Sequence, residues 1–205
     1  MRHTPRQAAE PDIQTPAKTT QGMHWRNTPQ GYGLLQITLH WSIALGIAVM
    51  IPLGLWMTGL DYYDAWYKKG PDLHRSIGVL LGIAILVRLS ARLTQTQPAP
   101  LGNNHLHNRL AGIAHGLLYA LPVLLVVSGY LISTADGRSV DVFDWFSIPA
   151  TLQGIDGQED FAGDVHFMLA MALLAVIAVH IVAAFHHHLF LQDATLRRML
   201  KPPSR

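Results

Sequence analysis

Four apolar runs dominate the chain, and each is long enough to cross a lipid bilayer. They are predicted at about Leu34–Leu60, Leu73–Leu93, Leu110–Ile132 and Val165–Leu191, and a crossing helix needs roughly 20 apolar residues. Backbone polar groups in lipid are satisfied only within helices or closed barrels, and these runs lack the alternation of barrel strands. Half of the 205 residues are hydrophobic and only 14% are charged. The sequence therefore predicts an all-α integral membrane protein, a four-helix bundle.

The regions outside the predicted spans are polar. Residues 1–28 hold few large apolar groups, which is typical of a disordered tail, and no apolar core of a signal peptide precedes the first span. We expect the bundle domain to cover residues 29–200 and a second tail to cover 201–205. The connection Ala135–Gly163 is too long for a turn. We expect it to form an interfacial segment, such as a short amphipathic helix, over the mouth of the bundle.

Basic residues are distributed unevenly between the two sides of the predicted bundle. The side that holds both termini and the connection between the second and third spans is called the inner side, and the opposite side is called the outer side. The inner side carries eleven basic residues: Arg2, Arg6, Lys18, Arg26, Arg88, Arg92, Arg109, Arg197, Arg198, Lys201 and Arg205. The outer side carries only Lys68, Lys69, Arg75 and Arg138, together with ten acidic residues. The positive-inside rule predicts that the inner side, with both termini, faces the cytoplasm.

Four histidines occupy positions at two depths in the predicted spans. His166 and His180 are 14 residues apart in the fourth span, which places them roughly 21 Å apart along a helix and only about 40° apart around it. His40 and His180 share the inner half of the bundle, and His74 and His166 share the outer half. Ionisable groups at membrane depth are costly and indicate function. Two pairs of imidazoles at two depths predict two metal centres stacked across the bilayer.

The chain contains no cysteine, which restricts the kind of metal centre. Disulfides, iron–sulfur clusters and covalently attached c-type haem are excluded. Two axial imidazoles per iron are the ligands expected of an electron-transfer haem, so the histidine pairs predict two b haems. The alternative is that each histidine is a polar residue bonded to a neighbouring helix, but pairing by depth favours haem. A histidine-lined metal transporter would need polar residues at mid-membrane, and the spans hold almost none.

The sequence around these histidines resembles a known family. The segments Leu35–Trp41 (LQITLHW), Leu73–Gly78 (LHRSIG), Asp164–His166 (DVH) and Val179–His180 are similar to those of the bacterial cytochrome b561 family, and the resemblance covers roughly residues 30–200. It implies a four-helix, di-haem protein of the bacterial inner membrane that exchanges electrons with the quinone pool.

The resemblance also implies a role for each histidine. By this likeness, His40 and His180 hold the inner haem iron, and His74 and His166 hold the outer one. The chain resembles in particular the short stand-alone members, whose described activity is superoxide oxidase. This implies that superoxide is oxidised at the outer face and that ubiquinone receives the electrons. The chain departs from those members in its longer N-terminal tail and its longer acidic outer loop.

The charges near His74 bear on the identity of the donor. Superoxide is an anion, and Lys68, Lys69 and Arg75 form a basic cluster that would steer it towards the outer haem. The ten acidic residues of the outer side oppose this, and a local cluster prevails only within about a Debye length, ~8 Å at physiological salt. The alternative function is an electron-transfer subunit without a small-molecule donor. Its donor would be a soluble redox protein docked on the acidic outer loop, and no nucleic-acid partner is expected in either case.

Further residues are candidates for the other contacts of the haems and the quinone. Arg75 on the outer side and Arg88 on the inner side are candidates for the haem propionates. The alternative for Arg88 is an interface residue whose side chain extends to the membrane surface. His187 follows His180 by seven residues and lies on nearly the same helix face. A histidine there can bond a quinone carbonyl and move a proton. His115 lies at a similar depth and is the second quinone candidate.

Overall fold

The computed structural model describes residues 25–101 and 105–202, and its architecture is a bundle of four long helices. These are α1 (Leu34–Met57), α2 (Lys69–Thr94), α3 (His105–Thr134) and α4 (Gln158–Leu189). All four are long and apolar enough to span a membrane, which confirms the predicted fold class. The inner end of the bundle is where α1 and α3 begin and α2 and α4 end. The outer end is opposite.

The helices differ in length from the apolar runs that predicted them. α2, α3 and α4 begin four, five and seven residues earlier than predicted, because their first turns are polar and lie beyond the apolar stretch. α1 ends at Met57 rather than at Leu60, since the chain turns at Gly59, whose N–H bonds to the carbonyl of Trp56. A hydropathy criterion identifies only the apolar part of a helix that crosses the lipid, so it does not include polar helix ends.

The helices pack as two antiparallel hairpins. α1 packs closely against α2, and α3 packs closely against α4, while a less extensive contact between α2 and α3 joins the two hairpins. Among the described residues, no extensive contact joins α4 to α1 or to α2. The bundle is therefore packed least closely between α4 and the first helical hairpin. The long sides of the bundle carry apolar side chains that are exposed in the structure, such as Leu45, Leu93 and Val182. A surface in contact with lipid requires such side chains.

A small β-hairpin covers the outer end, so the predicted amphipathic helix in this connection is wrong. β1 (Val140–Val142) pairs antiparallel with β2 (Phe146–Ile148). β1 packs on α2, where the hydroxyl of Ser76 bonds to the carbonyl of Asp141 and accepts the N–H of Phe143. The sequence Val-Asp-Val alternates buried and exposed positions with the period of a strand, and Val142 is fully buried. A run of three residues is too short for that alternation to be recognised in advance.

The turn of this hairpin has an unusual backbone. Phe143 and Asp144 both adopt positive φ, at 46° and 57°, and the N–H of Trp145 closes the turn on the carbonyl of Val142. Two consecutive positive φ values define the turn whose twist matches paired strands, where asparagine and glycine are the usual residues. A phenylalanine in this conformation is strained. The sequence therefore lacked the usual signal for a hairpin.

Residues 25–33, which precede α1, lie at the inner end of the bundle. Asn27 is buried, accepts the N–H of Gly33 through its side chain and donates its own N–H to the side chain of Gln95. Residues 25–28, which the sequence placed in the N-terminal tail, thus lie against the ends of α1 and α2. The rest of that predicted tail, residues 1–24, and positions 203–205 of the C-terminal tail lie outside the described residues.

A C-terminal segment, residues 190–201, lies across the inner end of the bundle. It contains a short 3-10 helix at Arg197–Met199. The indole N–H of Trp41 on α1 donates to the carbonyl of Met199 at 2.8 Å. The guanidinium of Arg198 donates to the carbonyl of Ala99, in the connection between α2 and α3, at 2.7 Å. These bonds hold the segment against both halves of the inner end.

Candidate functional site

The outer histidines face each other across the space between α2 and α4. The ring centroids of His74 and His166 lie 6.2 Å apart, and both side chains are half-buried. Each ring also lies against a glycine of another helix. A Cβ added at Gly54 would stand 3.0 Å from Cε1 of His74, and one added at Gly129 would stand 3.3 Å from Cε1 of His166. The absence of side chains at these two positions gives both rings room.

The hydrogen bonds of the outer pair are unequal. The hydroxyl of Ser128 donates to the carbonyl of Leu125 at 3.1 Å, so its oxygen accepts the Nδ1–H of His166 at 3.0 Å. This bond selects the tautomer in which Nε2 carries no proton and can bind a metal. Nδ1 of His74 is buried and has no hydrogen-bond partner among the described residues. A buried polar atom without a partner is unusual, and it fits a ring that is fixed by a group outside the polypeptide.

The inner site holds three histidines from three helices. The ring centroids of His40 on α1 and His180 on α4 lie 6.4 Å apart. The ring of His115 on α3 lies 5.6 Å from that of His180, so His180 has two imidazole neighbours. Arg88 on α2 is close enough for its charge to act on all three. The structure therefore brings together both predicted pairs and adds His115 to the inner one.

Arg88 joins three helices near the inner site. Its Nη1 donates to the carbonyl of Gln36 at 2.6 Å and its Nε donates to the hydroxyl of Tyr119 at 3.1 Å. In return, the side-chain amide of the buried Gln36 donates to the carbonyl of Arg88. These bonds to protein atoms fix the guanidinium in the interior. On the outer side, Arg75 forms an ion pair with Asp72, so each predicted propionate partner already has contacts within the chain.

The histidine pairs have the spacing of a bis-imidazole metal centre. With metal–nitrogen bonds of about 2.0–2.1 Å on each side, the two ring centroids must lie roughly 6 Å apart, and the observed values are 6.2 and 6.4 Å. Among the described residues, no group of three or more His, Asp or Glu side chains is placed to hold a bare metal ion. A two-imidazole site suits haem, which brings its own equatorial nitrogens. Both pairs join α4 to the first helical hairpin, so a flat group bound by them would lie between these elements.

Comparison with known sequences identifies the family. The model of the prokaryotic cytochrome b561 family matches residues 31–202. The chain belongs to this family. It is 45% identical over 179 residues to "Cytochrome b561 homolog 2" of Escherichia coli, an alignment that covers 87% of this chain and 95% of that protein.

Two further relatives are more distant. "Cytochrome b562" of Cereibacter sphaeroides is 31% identical over 84% of this chain and 96% of that protein. "Probable superoxide oxidase CybB" of Yersinia pestis is 28% identical over 82% of this chain and 95% of that protein. Membership confirms the predicted family resemblance and implies haem b and electron transfer in a membrane.

A cavity of about 850 Å³ opens at the outer end of this cytochrome b561, between α2, α3 and the β-hairpin. Its lining includes three bases and three acids: Lys69, Arg75, Arg138, Asp72, Asp141 and Asp144. Arg75 is paired with Asp72 and Arg138 with Asp136. Lys69 forms no ion pair within the part of the chain that the structure describes. Lys68 is exposed beside it but does not line the cavity, so the predicted basic cluster is divided.

The two quinone candidates of this cytochrome lie in different surroundings. His115 lines a groove of about 590 Å³ between α2 and α3, together with Arg92, Tyr119 and apolar side chains. His187, near the end of α4, bonds through Nδ1 to the carboxylate of Asp193 at 2.5 Å. Sequence reasoning did not identify Asp193. The only signal was a lone acid six residues after a histidine and just past a helix end.

Proposed function

We propose that this cytochrome b561 holds two b haems and passes electrons from superoxide at its outer end to ubiquinone at its inner end. His74 and His166 bind the outer iron, and His40 and His180 bind the inner iron. The observation that carries the proposal is the presence of two imidazole pairs with bis-histidine spacing at two levels of one bundle. When bound, haem supplies a one-electron redox centre at each level.

The proposed orientation places the inner end in the cytoplasm and the chain in the bacterial inner membrane. The described inner end carries Arg92, Arg109 and the basic residues of the C-terminal segment, while the outer connections carry most of the acids. This asymmetry supports the orientation through the positive-inside rule. Superoxide would then be collected outside the cytoplasm, and protons for quinone would be taken up from the cytoplasm.

The outer cavity supports superoxide as the donor. It begins one residue from His74, since both Leu73 and Arg75 line it, and the unpaired Lys69 places a positive charge within it. Lys69 attracts an anion only over short distances, because Arg75 and Arg138 are already paired with Asp72 and Asp136. Asp141 and Asp144, which form no ion pair among the described residues, also line the cavity and oppose this attraction. Steering of this kind acts mainly on the association rate.

Replacement of Lys68 and Lys69 by glutamate tests the donor. Stopped-flow reduction of the haems by superoxide should slow several-fold, and added salt should slow the parent protein more than the variant. Reduction by quinol should hardly change, since that reaction takes place at the other end of the bundle. Lys201→Glu at the inner end is the matched control and should leave the superoxide rate unchanged. Equal superoxide rates and equal salt dependence in parent and variant would contradict steering by these lysines.

The alternative is an electron-transfer subunit that receives electrons from a redox protein. It is favoured by the acids at the rim of the outer cavity and along the outer connection, which suit a basic partner. In that case superoxide would not reduce the haems, whereas a basic soluble cytochrome would exchange electrons with them. Asp144→Asn together with Asp160→Asn should then weaken that exchange and reduce its dependence on salt.

A further inference from the structure

His187 and Asp193 form a close pair at the inner end of the bundle. The distance from Nδ1 of His187 to Oδ2 of Asp193 is 2.5 Å, and the side chains are 36% and 22% exposed. The histidine therefore has one ring nitrogen engaged by a carboxylate, while part of its ring remains open. A histidine oriented in this way by a carboxylate is the arrangement that proteins use to fix a tautomer and stabilise the imidazolium.

The backbone after α4 is shaped to bring the carboxylate back onto the histidine. Gln192 adopts a left-handed conformation with φ of 51°, which is unfavourable for a side chain of this size and persists only where the surroundings fix it. The turn lets the N–H of Asp193 bond to the carbonyl of His187. Oδ1 of Asp193 accepts the N–H of Thr195 at 2.8 Å, which leaves Oδ2 for the imidazole. The bonds of Trp41 and Arg198 hold the rest of this segment in place.

Asp193 is negatively charged at physiological pH. Burial alone would raise its pKa, but the hydrogen bonds from Thr195 and His187 outweigh burial and lower the pKa to about 2. Among the described residues, His187 faces this carboxylate, from the C-terminal segment, and the ring of His186, from its own helix, at a centroid distance of 6.3 Å. A carboxylate held at Nδ1 orients the imidazole ring and can stabilise the positive charge that the ring carries while it relays a proton through Nε2.

We propose that Asp193 is a positioning residue that holds His187 as the proton donor to the quinone at the inner end. This rests on the proposed function, which supplies ubiquinone and the electrons. Formation of quinol takes two electrons, delivered through the inner site, and two protons. His187 gives one proton from Nε2 to a quinone oxygen and keeps its Nδ1–H towards Asp193. It then regains a proton from cytoplasmic water, which also supplies the second proton to the other oxygen.

A purely structural role for Asp193, as the end of a turn, predicts something different. Asparagine would still accept the N–H of Thr195 through its side-chain oxygen and so preserve the turn, but it would carry no charge to stabilise the imidazolium. Glutamate would keep the negative charge but place the carboxylate one methylene group further from the backbone. The pair of variants Asp193→Asn and Asp193→Glu therefore separates charge from shape.

The experiment follows oxidation of the reduced haems by a short-chain ubiquinone across the neutral pH range, in haem-loaded detergent-solubilised protein. Asp193→Asn should slow the reaction on the order of tenfold, and the pH above which the rate declines should move to lower pH. Asp193→Glu should restore most of the rate. The haem content and the superoxide rate should stay at parental values. His188→Gln, which changes an exposed neighbouring histidine, should behave like the parent.

A second variant tests whether the two residues act as a unit. His187→Gln alone and His187→Gln combined with Asp193→Asn should be equally slow, because removal of either partner abolishes the same donor. A parental rate and pH profile in Asp193→Asn would overturn this inference alone, as would additive losses in the double variant. A parent protein that does not react with ubiquinone at all would instead overturn the proposed acceptor, and this inference with it.

Discussion

The two histidine sites of this cytochrome b561 are built differently. The outer site has two rings, each lying against a glycine, and one of them is bonded to Ser128. The inner site has three rings, with His180 between His40 and His115, and an arginine nearby. The outer site is thus shaped for one arrangement of two ligands. The inner site has one imidazole more than a two-ligand centre requires, which suits the proposed exchange of both electrons and protons at this end.

The largest expected effect comes from removing a ligand at either site. Because the pairs share no residue, His74→Ala should lose the outer haem and keep the inner one, and His40→Ala should do the reverse. Haem analysis of the parent protein should give two haems per chain, and each variant should give one. Loss of both haems in a still-folded His74→Ala protein, or a single haem in the fully loaded parent, would contradict the assigned pairing.

A second prediction concerns the inner site, where either His40 or His115 could be the second haem ligand beside His180. We expect His115→Ala to retain both haems, since the His40–His180 spacing already suits an iron, while its reaction with quinone should slow. Haem content and visible spectra of His115→Ala and His40→Ala, prepared side by side, decide the point. The assignment would be reversed if His115→Ala lost the inner haem and His40→Ala kept it.

A smaller effect is expected from crowding the outer site. Gly54→Ala would place a methyl group 3.0 Å from Cε1 of His74, so the ring must shift, and haem should be lost from the outer site more readily during purification or warming. Gly163→Ala is the matched control, because no atom lies within 4 Å of a Cβ at that position. Equal haem retention by the two variants would show that Gly54 does not shape the site.

The smallest effect should follow from Ser128→Ala. The serine oxygen accepts the Nδ1–H of His166, which makes the imidazole more basic and favours the oxidised iron. Its removal should raise the midpoint potential of the outer haem slightly and leave the inner one unchanged. A redox titration that resolves the two haems would measure this, and a shift confined to the inner haem would exclude the assigned position of His166.

Much of this architecture could be predicted from local sequence. Long apolar runs predict the membrane-spanning helices. Because a helix rises by a regular distance per residue, the position of each histidine in its span predicts its depth, and the depths predict the pairs. The β-hairpin could not be predicted, because its strands are three residues long and its turn uses phenylalanine and aspartate. The bonds that Arg88 donates to Gln36 and that His187 donates to Asp193 could not be predicted either. Each depends on tertiary placement or on one strained backbone angle.

One helix, α4, supplies a histidine to both sites, and this constrains how the protein can evolve. The spacing of 14 residues between His166 and His180 sets the distance between the two sites. It also places both histidines on nearly the same face of α4. A single inserted or deleted residue would rotate one histidine by about 100° relative to the other, and one of the two pairs would be lost. This geometry constrains the length of the stretch more strictly than the identity of its exposed apolar side chains. Natural variation in chain length should therefore be confined to the tails and the loops.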